Sequence, residues 1–351
     1  MQHIITDETD ETLILTLSVA RIPFLDFNQK KKLIKNLDSP QSLALQSIED
    51  IYKLLQCQKV SRACWNGGDN LRMAKAEAYQ CKRLGIKLLL HSEQEYPEYL
   101  RQISDPPFLL FVRGDERLLC GPCVSVVGTR RLSPAGREAA KSFAYEAALD
   151  GCNVVSGLAY GADACAHQGA LNAFYDNVSA SGIGRTVAVL PCAIDDVVPY
   201  SNKKLAAQIL QSGGCIVSEY APGTQTMKRN FVARNRIVAG LSEATVVIEA
   251  PNGSGALITA DFALEEGRDV FFHEATFGAA AESISSTVKT GLEKDFAIGR
   301  VSKFKLENCP ERFLKAGAPV IKDYKDFCVA LTEMPGLRSQ LPLQGELFRG
   351  L

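Results

Sequence analysis

Between residues 229 and 251 the chain reads RNFVARNRIVAGLSEATVVIEAP, which sets Arg229, Arg234 and Arg236, with Asn230 and Asn235, against an apolar run. No acidic residue occurs from 227 to 240, although the whole chain balances 39 Lys and Arg against 40 Asp and Glu. Arginine stems threaded among Phe231, Val232, Ile237, Val238 and Leu241 are held by packing, and a held guanidinium fork suits the oxygens of a phosphate. A formal net charge of −1 supplies no global field for a polyanion, so any such attraction has to come from a local patch.

Four further segments offer the same chemistry. They are Gly128-Thr129-Arg130-Arg131, Ser156-Gly157-Leu158-Ala159-Tyr160-Gly161, Pro191 to Asp195 with Lys203 and Lys204 beyond it, and Gly253-Ser254-Gly255. Each follows a short apolar run. Glycine lets a backbone approach a ligand, helix starts present unpaired N–H groups, and the hydroxyls of Ser156, Ser254 and Thr259 add donors. Arg137 and Lys228 extend the basic inventory, and Tyr160 is the best placed of Tyr160, Tyr200, Tyr220 and Phe231 to stack on a base. Phe231 reads better as core. The chain lacks both a Walker A sequence and a G-x-G-x-x-G fingerprint with its downstream acid, which argues against a nucleotide-driven motor or a nicotinamide dehydrogenase.

The elements that must position these segments follow from periodicity. Apolar spacings of three and four predict helices at 13–20, 28–37, 42–55 and 70–84, with Ser39-Pro40 as a helix start and Gly85 as a stop. That makes residues 1–84 a small helical, SAM-like module. From 85 the pattern becomes short β-branched runs at 86–90, 108–112, 124–127, 153–155, 186–190, 215–217, 245–248 and 269–272. Helix-length segments at 135–149, 162–171, 202–211 and 256–266 separate the later ones. Such alternation predicts an α/β domain over 85–330 with a doubly wound, extended Rossmann-like parallel sheet, and residues 331–351 as a flexible tail. Ligands of such sheets bind outside the carboxyl ends of the strands, where the basic and glycine-rich segments fall.

Composition excludes several classes. With 46% apolar and 23% charged residues the chain is ordinary globular material. It opens without a charged region followed by an apolar run, and no stretch is long enough to span a bilayer, so a cytoplasmic protein with no membrane association is expected. Eleven scattered cysteines form no paired framework. Cys120-Gly121-Pro122-Cys123 spells a thioredoxin-type tetrapeptide but precedes a strand instead of following one, so it reads as a turn. No second such pair completes a metal set, and no metal or cofactor is expected.

The segments VVGTRRLSPAGREAA (126–140), VVSGLAYGADACAHQGAL (154–171), VAVLPCAIDDVVPYSNKKLA (187–206), IVSEYAPGT (216–224), NFVARNRIVAGLSEATVVIEAP (230–251) and GSGALITADFALEEGRDVF (253–271) together resemble the DNA-processing protein A family, also called Smf. The resemblance covers roughly 85–330. It implies an extended Rossmann fold that binds single-stranded DNA, dimerises, and helps load the RecA recombinase on incoming strands during natural transformation, as a mediator and not an enzyme. Carried over by motif, the DNA-binding arginine of the GTR sequence is Arg130, a basic position after the third loop is Lys203 or Lys204, and the arginines of the FPxRNR sequence are Arg234 and Arg236. These two would clamp the strand's backbone. The chain departs from the family pattern at Tyr160, where a basic residue is usual, at Val232 in place of proline, and from 273 to about 308, where a longer segment replaces a VPG turn. The N-terminal helices lack the family's Gly-x-Gly hairpin, and residues after 331 are too few for the winged helix of some members.

Two other readings use the same residues. Asp163 and His167, four apart on one helix, with Glu219 at a strand end, would be the acid/base set of a nucleotide hydrolase, although the loop at 253–259 lacks the glutamate that related hydrolases carry. A phosphate-binding edge would equally serve a sensor of a nucleotide-derived signal. Separately, Gln344 to Phe348 (QGELF) resembles a peptide that docks on bacterial sliding clamps.

Overall fold

In the computed structural model, which describes residues 7–57 and 63–333, the chain opens with helices α1 (Asp7–Ala20), α2 (Phe27–Lys35), α3 (Pro40–Ala44) and α4 (Ile48–Leu54). Their apolar faces close on Leu15, Val19, Ile22, Leu33, Leu43, Ile51 and Leu55. Each short helix starts on a side chain that satisfies an orphan amide: Asp26 accepts from Gln29, Ser39 from Ser42 with Pro40 next in line, and Ser47 from Asp50. Helix α5 (Gly67–Leu84) ends at Gly85, whose φ of 61° puts it in the left-handed region a helix stop uses. It buries Ala74, Ala78 and Cys81, together with Leu17 of α1, against Leu109, Leu158, Ile209 and Ile216. Packing therefore runs across the expected 84/85 boundary.

The rest alternates: β1 (Lys87–Leu90), α6 (Glu98–Arg101), β2 (Leu109–Gly114), β3 (Cys123–Val127), α7 (Pro134–Leu149), β4 (Asn153–Ser156), α8 (Ala162–Asp176), β5 (Thr186–Leu190), α9 (Lys203–Gln211), β6 (Cys215–Ser218), α10 (Lys228–Ala233), α11 (Asn235–Gly240), β7 (Ala244–Val247), α12 (Gly255–Glu265), β8 (Asp269–His273), α13 (Ala279–Ala297), α14 (Lys303–Glu307), α15 (Pro310–Lys315), β9 (Val320–Ile321) and α16 (Tyr324–Glu333). The strands form one sheet in the order β1-β2-β6-β5-β4-β3-β7-β8-β9. From β6 to β9 all neighbours are parallel, giving the α/β, extended Rossmann-like architecture. At one edge β2 runs antiparallel to both β1 and β6, because the β1–β2 connection holds only the one-turn α6 and no crossover helix to return the chain.

Both faces of the sheet are covered, which is why its strands read as continuous apolar runs. Successive residues serve opposite cores: Val154 packs with Phe143 and Ala147 of α7, whereas Val155 joins Ile237, Leu257 and Ala260 of α11 and α12. Strands β3 to β6 step outward in one direction, then β7 returns to the far side of β3. The strand order thus reverses between β3 and β7, the place where such folds bind ligands.

The segment beyond 273 folds as α13 and α14. Beyond it, β9 adds a short edge to β8, and α16 sets Phe327 5.5 Å from Phe143 and 5.0 Å from Phe271 between ring centroids. At the thioredoxin-like tetrapeptide, Cys120 ends a 3-10 turn and Cys123 opens β3; burial pushes the Cys123 thiol up to about 12 and raises Cys120 as well, the reverse of a redox-active thiolate. No helix of the described residues is long and apolar enough to cross a membrane. Gln344 to Phe348 lie outside the described residues.

Candidate nucleic-acid interface

The loops after β3 and β4 touch at the carboxyl edge of the sheet. Gly161, at φ +77°, lies so close to the Thr129–Arg130 backbone that a Cβ there would stand 2.7 Å from Arg130 Cα. Only glycine permits this approach, which brings Arg130 and Tyr160 onto one surface. Gly128 has the same function one strand over, since its Cβ would meet Ala162 Cβ at 2.7 Å and the Glu249 carbonyl at 3.0 Å. Arg130 is exposed and its guanidinium carbon lies 5.9 Å from the centre of the Phe231 ring, joining the first loop to α10. Arg131 and Arg137 are exposed as well.

Tyr160, half exposed, receives a hydrogen bond on its hydroxyl from Ser201 at 3.0 Å, and Tyr200 lies beyond with the Lys203 ammonium 4.2 Å from its ring centre. Lys203 and Lys204 open α9, and Lys228 and Arg229 open α10, with no acid in either first turn. Cations at those positions add to the partial positive charge of the helix start, so helix stability does not account for them. Arg130, Arg131, Lys203, Lys204, Lys228 and Arg229 form no ion pair among the described residues and point the chemistry outward.

The loop that presents Tyr160 is held in one shape. Leu158 has φ 56°, a left-handed conformation costing about 1 to 3 kcal/mol for a residue other than glycine. Its side chain is fully buried in the α5 and α9 core, which offsets the strain. Asn202 donates to the carbonyls of Leu158 at 2.9 Å and Ala159 at 3.3 Å, and Asp163 accepts the Ala159 N–H at 3.2 Å.

Several expected ligand groups are used internally, and the clamp expected from Arg234 and Arg236 is corrected. Arg234 is 5% exposed; its Nη1 donates to the Gly157 carbonyl at 2.6 Å and to that of Val189, and Asp163 is the acid that most favours its charge. Burial lowers the Arg234 guanidinium and raises the Asp163 carboxyl, and each partly restores the other. Arg236, 8% exposed, donates to Glu219 at 2.8 Å, to the Asp105 carbonyl at 2.8 Å and to the Ala233 carbonyl at 3.0 Å, and pairs with the Asp105 carboxylate at 3.0 Å. Burial acts against its charge, and Glu219 and Asp105 more than offset it. The apolar packing that holds the stems also seals the forks from water, and a sealed charge must pair within the protein.

Ser156 is buried and donates to the Val126 carbonyl at 2.7 Å, Thr259 bonds Gly255 at 3.3 Å, and Ser254 caps α12 by accepting from Ala256 at 3.2 Å. Ser156 and Thr259 are therefore spent as donors, whereas Ser254 only accepts and keeps its hydroxyl proton free for an anion. Gly157 carries the carbonyl that holds Arg234, and a Cβ there would lie 2.5 Å from the guanidinium carbon. Asn235 reaches Gly255 at 3.3 Å and ties α11 to the loop after β7. The acid/base set is likewise engaged: Glu219 holds Arg236, Asp163 holds the Tyr160 loop, and His167 is fully buried with Nδ1 2.6 Å from the Thr186 hydroxyl. Burial and Arg234 push His167 down to about 3, leaving a neutral imidazole.

Glu249, which sequence reasoning passed over, occupies the reversal point. Its carboxylate is 2% exposed and accepts the Ser133 N–H at 2.9 Å and the Ser133 hydroxyl, while Ser133 caps α7 through Gly136 N at 3.0 Å. The chain's own anion therefore sits where this fold class places a ligand's phosphate. The only sequence signal is an acid closing a buried strand in VVIEAP.

Comparison with known proteins agrees with this architecture. A family model described as DNA recombination-mediator protein A matches residues 87–328. Protein Smf of Borreliella burgdorferi is 32% identical over 262 residues, 74% of this chain and 79% of that protein. DNA processing protein DprA of Bacillus subtilis is 37% identical over 188 residues, 53% of this chain and 60% of that protein, so the aligned part falls well short of the relative's full length. Among solved structures, DprA of Streptococcus pneumoniae superposes with a TM-score of 0.61 at 27% identity, covering 93% of this chain and 98% of that one. DNA processing protein A of Helicobacter pylori, whose structure is described for its single-stranded DNA binding mode, gives 0.53 at 26% identity, covering 71% and 96%. On the span of the family model and the Borreliella match, the chain belongs to the DNA recombination-mediator protein A family, whose members carry the names DprA and Smf.

Proposed function

We propose that this protein binds single-stranded DNA along the carboxyl edge of its sheet, protects incoming strands and loads RecA on them during natural transformation. In this reading it works as a cytoplasmic homodimer and a mediator, not as an enzyme. The observation that carries the reading is the division of its cations: Arg234 and Arg236 are buried and engaged within the protein, whereas Arg130, Arg131, Lys203, Lys204 and Arg229 are exposed and form no ion pair among the described residues. Phosphate contacts from such a strip give affinity without sequence preference, and an exposed ring adds a stacking face. A sensor or hydrolase of a mononucleotide needs a phosphate cradle at the strand reversal, and Glu249 already fills that cradle.

The test is fluorescence anisotropy of a labelled oligothymidine and its duplex over a salt series, with the wild type and the Arg130→Ala/Lys203→Ala/Lys204→Ala variant. The wild type is expected to prefer the single strand. The variant's slope of log affinity against log salt should fall by about 2, at about 0.7 for each phosphate the protein no longer neutralises. No binding at moderate salt, or identical slopes, would overturn the assignment.

A further inference from the structure

The segment from Gly278 to Asn308, where this chain departs from the family pattern, is docked on the last loop of the same edge. Gly253 donates to the Asn308 carbonyl at 2.7 Å, Ser285 of α13 bonds Asn252 at 3.1 Å, and a Cβ on Gly253 would stand 2.8 Å from the Lys305 carbonyl. On its other side that loop is held by Asn235 through Gly255. Asn235 is therefore linked, through Gly255 and Gly253, to the segment that carries α14.

Over 278–308 the segment holds five cations and four anions, but the basic charge gathers at one end of it. From 294 to 305 it reads KDFAIGRVSKFK, four cations against one anion in a chain whose net charge is −1. Phe296, Ile298 and Phe304 are 42%, 61% and 37% exposed among those cations. The ion pairs that do form here are surface contacts, Lys303 with Glu307 at 3.5 Å and Arg300 with Asp295 at 4.0 Å, and are weak enough to exchange for a phosphate. Lys305 is exposed and forms no ion pair among the described residues. Arg312, 5.9 Å from the Phe304 ring centre, is committed to Asp261.

We propose that Lys303, Phe304 and Lys305 form a second subsite for single-stranded nucleic acid, in which Phe304 stacks on a base and the two lysines contact the flanking phosphates. It lengthens the path begun at Tyr160 and Arg130. The inference rests on the strand-binding reading above. Its occupant is a single strand, because exposed aromatic rings among exposed cations match splayed bases on a polyanion, and duplex DNA offers no free base face.

An oligothymidine length series separates the two ideas. Wild-type affinity should rise with length in two stages, the second as strands reach α14. In Lys303→Ala/Phe304→Ala/Lys305→Ala the first stage should persist and the second vanish, a loss on the order of tenfold on long strands, the size of one stacking contact. The charge reversal Lys303→Glu/Lys305→Glu, which leaves the ring in place, should show the same length dependence. Wild-type behaviour of both variants on long strands, or an equal loss at every length, would overturn the subsite while leaving the sheet-edge reading intact. A wild type that binds no strand at any length would remove both.

Discussion

The Glu249 carboxylate receives the Ser133 N–H at 2.9 Å and so neutralises the start of α7 from within the protein. In Rossmann-type sheets this is the position of a bound pyrophosphate. Replacing Glu249 with Ala strands these donors, so it should cost about 1 to 3 kcal/mol in denaturant unfolding. Inorganic phosphate should then raise the melting temperature of Glu249→Ala more than that of the wild type. Equal stability of the two proteins, or equal stabilisation by phosphate, would show that the carboxylate does not occupy an anion site.

Arg234 and Arg130 are expected to separate stability from binding. Arg234→Ala leaves the buried carbonyls of Gly157 and Val189 without their donor, a loss of about 1 to 3 kcal/mol for each unpaired group, and removes a cation that offsets the burial of Asp163. Exposed Arg130 should change stability by no more than about 0.5 kcal/mol when truncated. Thermal unfolding beside anisotropy measures both. A stable Arg234→Ala that fails to bind strand would return this arginine to the DNA contact.

How far the residues themselves disclosed this arrangement differs by level. The β-branched runs from 124 to 272 located every strand from β3 to β8, because strands buried on both faces carry few polar residues, mostly small ones such as Ser125 and Thr245, to obscure them. The two-residue β9 and the mixed surface of α13 carry no comparable signal. For the site, glycine spacing found the touching loops, since close approach demands glycine at 128 and 161. Arginine spacing misled at 234 and 236, because Asp163 and Glu219, which lie far away in sequence and close in space, capture or oppose those charges first.

Tyr160 offers a cleaner test of stacking. Tyr160→Ala should weaken oligothymidine binding by about 1 to 3 kcal/mol with no change in salt slope, since every cation that meets a phosphate stays in place. Tyr160→Phe keeps the ring and removes only the hydrogen bond from Ser201, so its affinity should match the wild type. If Phe at 160 binds as poorly as Ala, the hydroxyl and not the ring face makes the contact.

His167 predicts how the fold responds to acid. Its folded value is depressed from 6.5 to about 3, so between those limits the unfolded chain takes up a proton that the native protein refuses. Stability from this residue is complete above about pH 6.5 and is lost as pH falls toward 3, at up to about 1.4 kcal/mol per pH unit. His91 and His273 are also lowered by burial and add acid sensitivity, while Asp163, raised by burial, adds the opposite slope. A single substitution isolates the His167 share: His167→Gln retains a polar partner for Thr186 and has no proton to gain, so its unfolding free energy should fall less steeply than that of the wild type through this window. Parallel curves for the two proteins would mean that water reaches the imidazole, and with it the Arg234 site alongside.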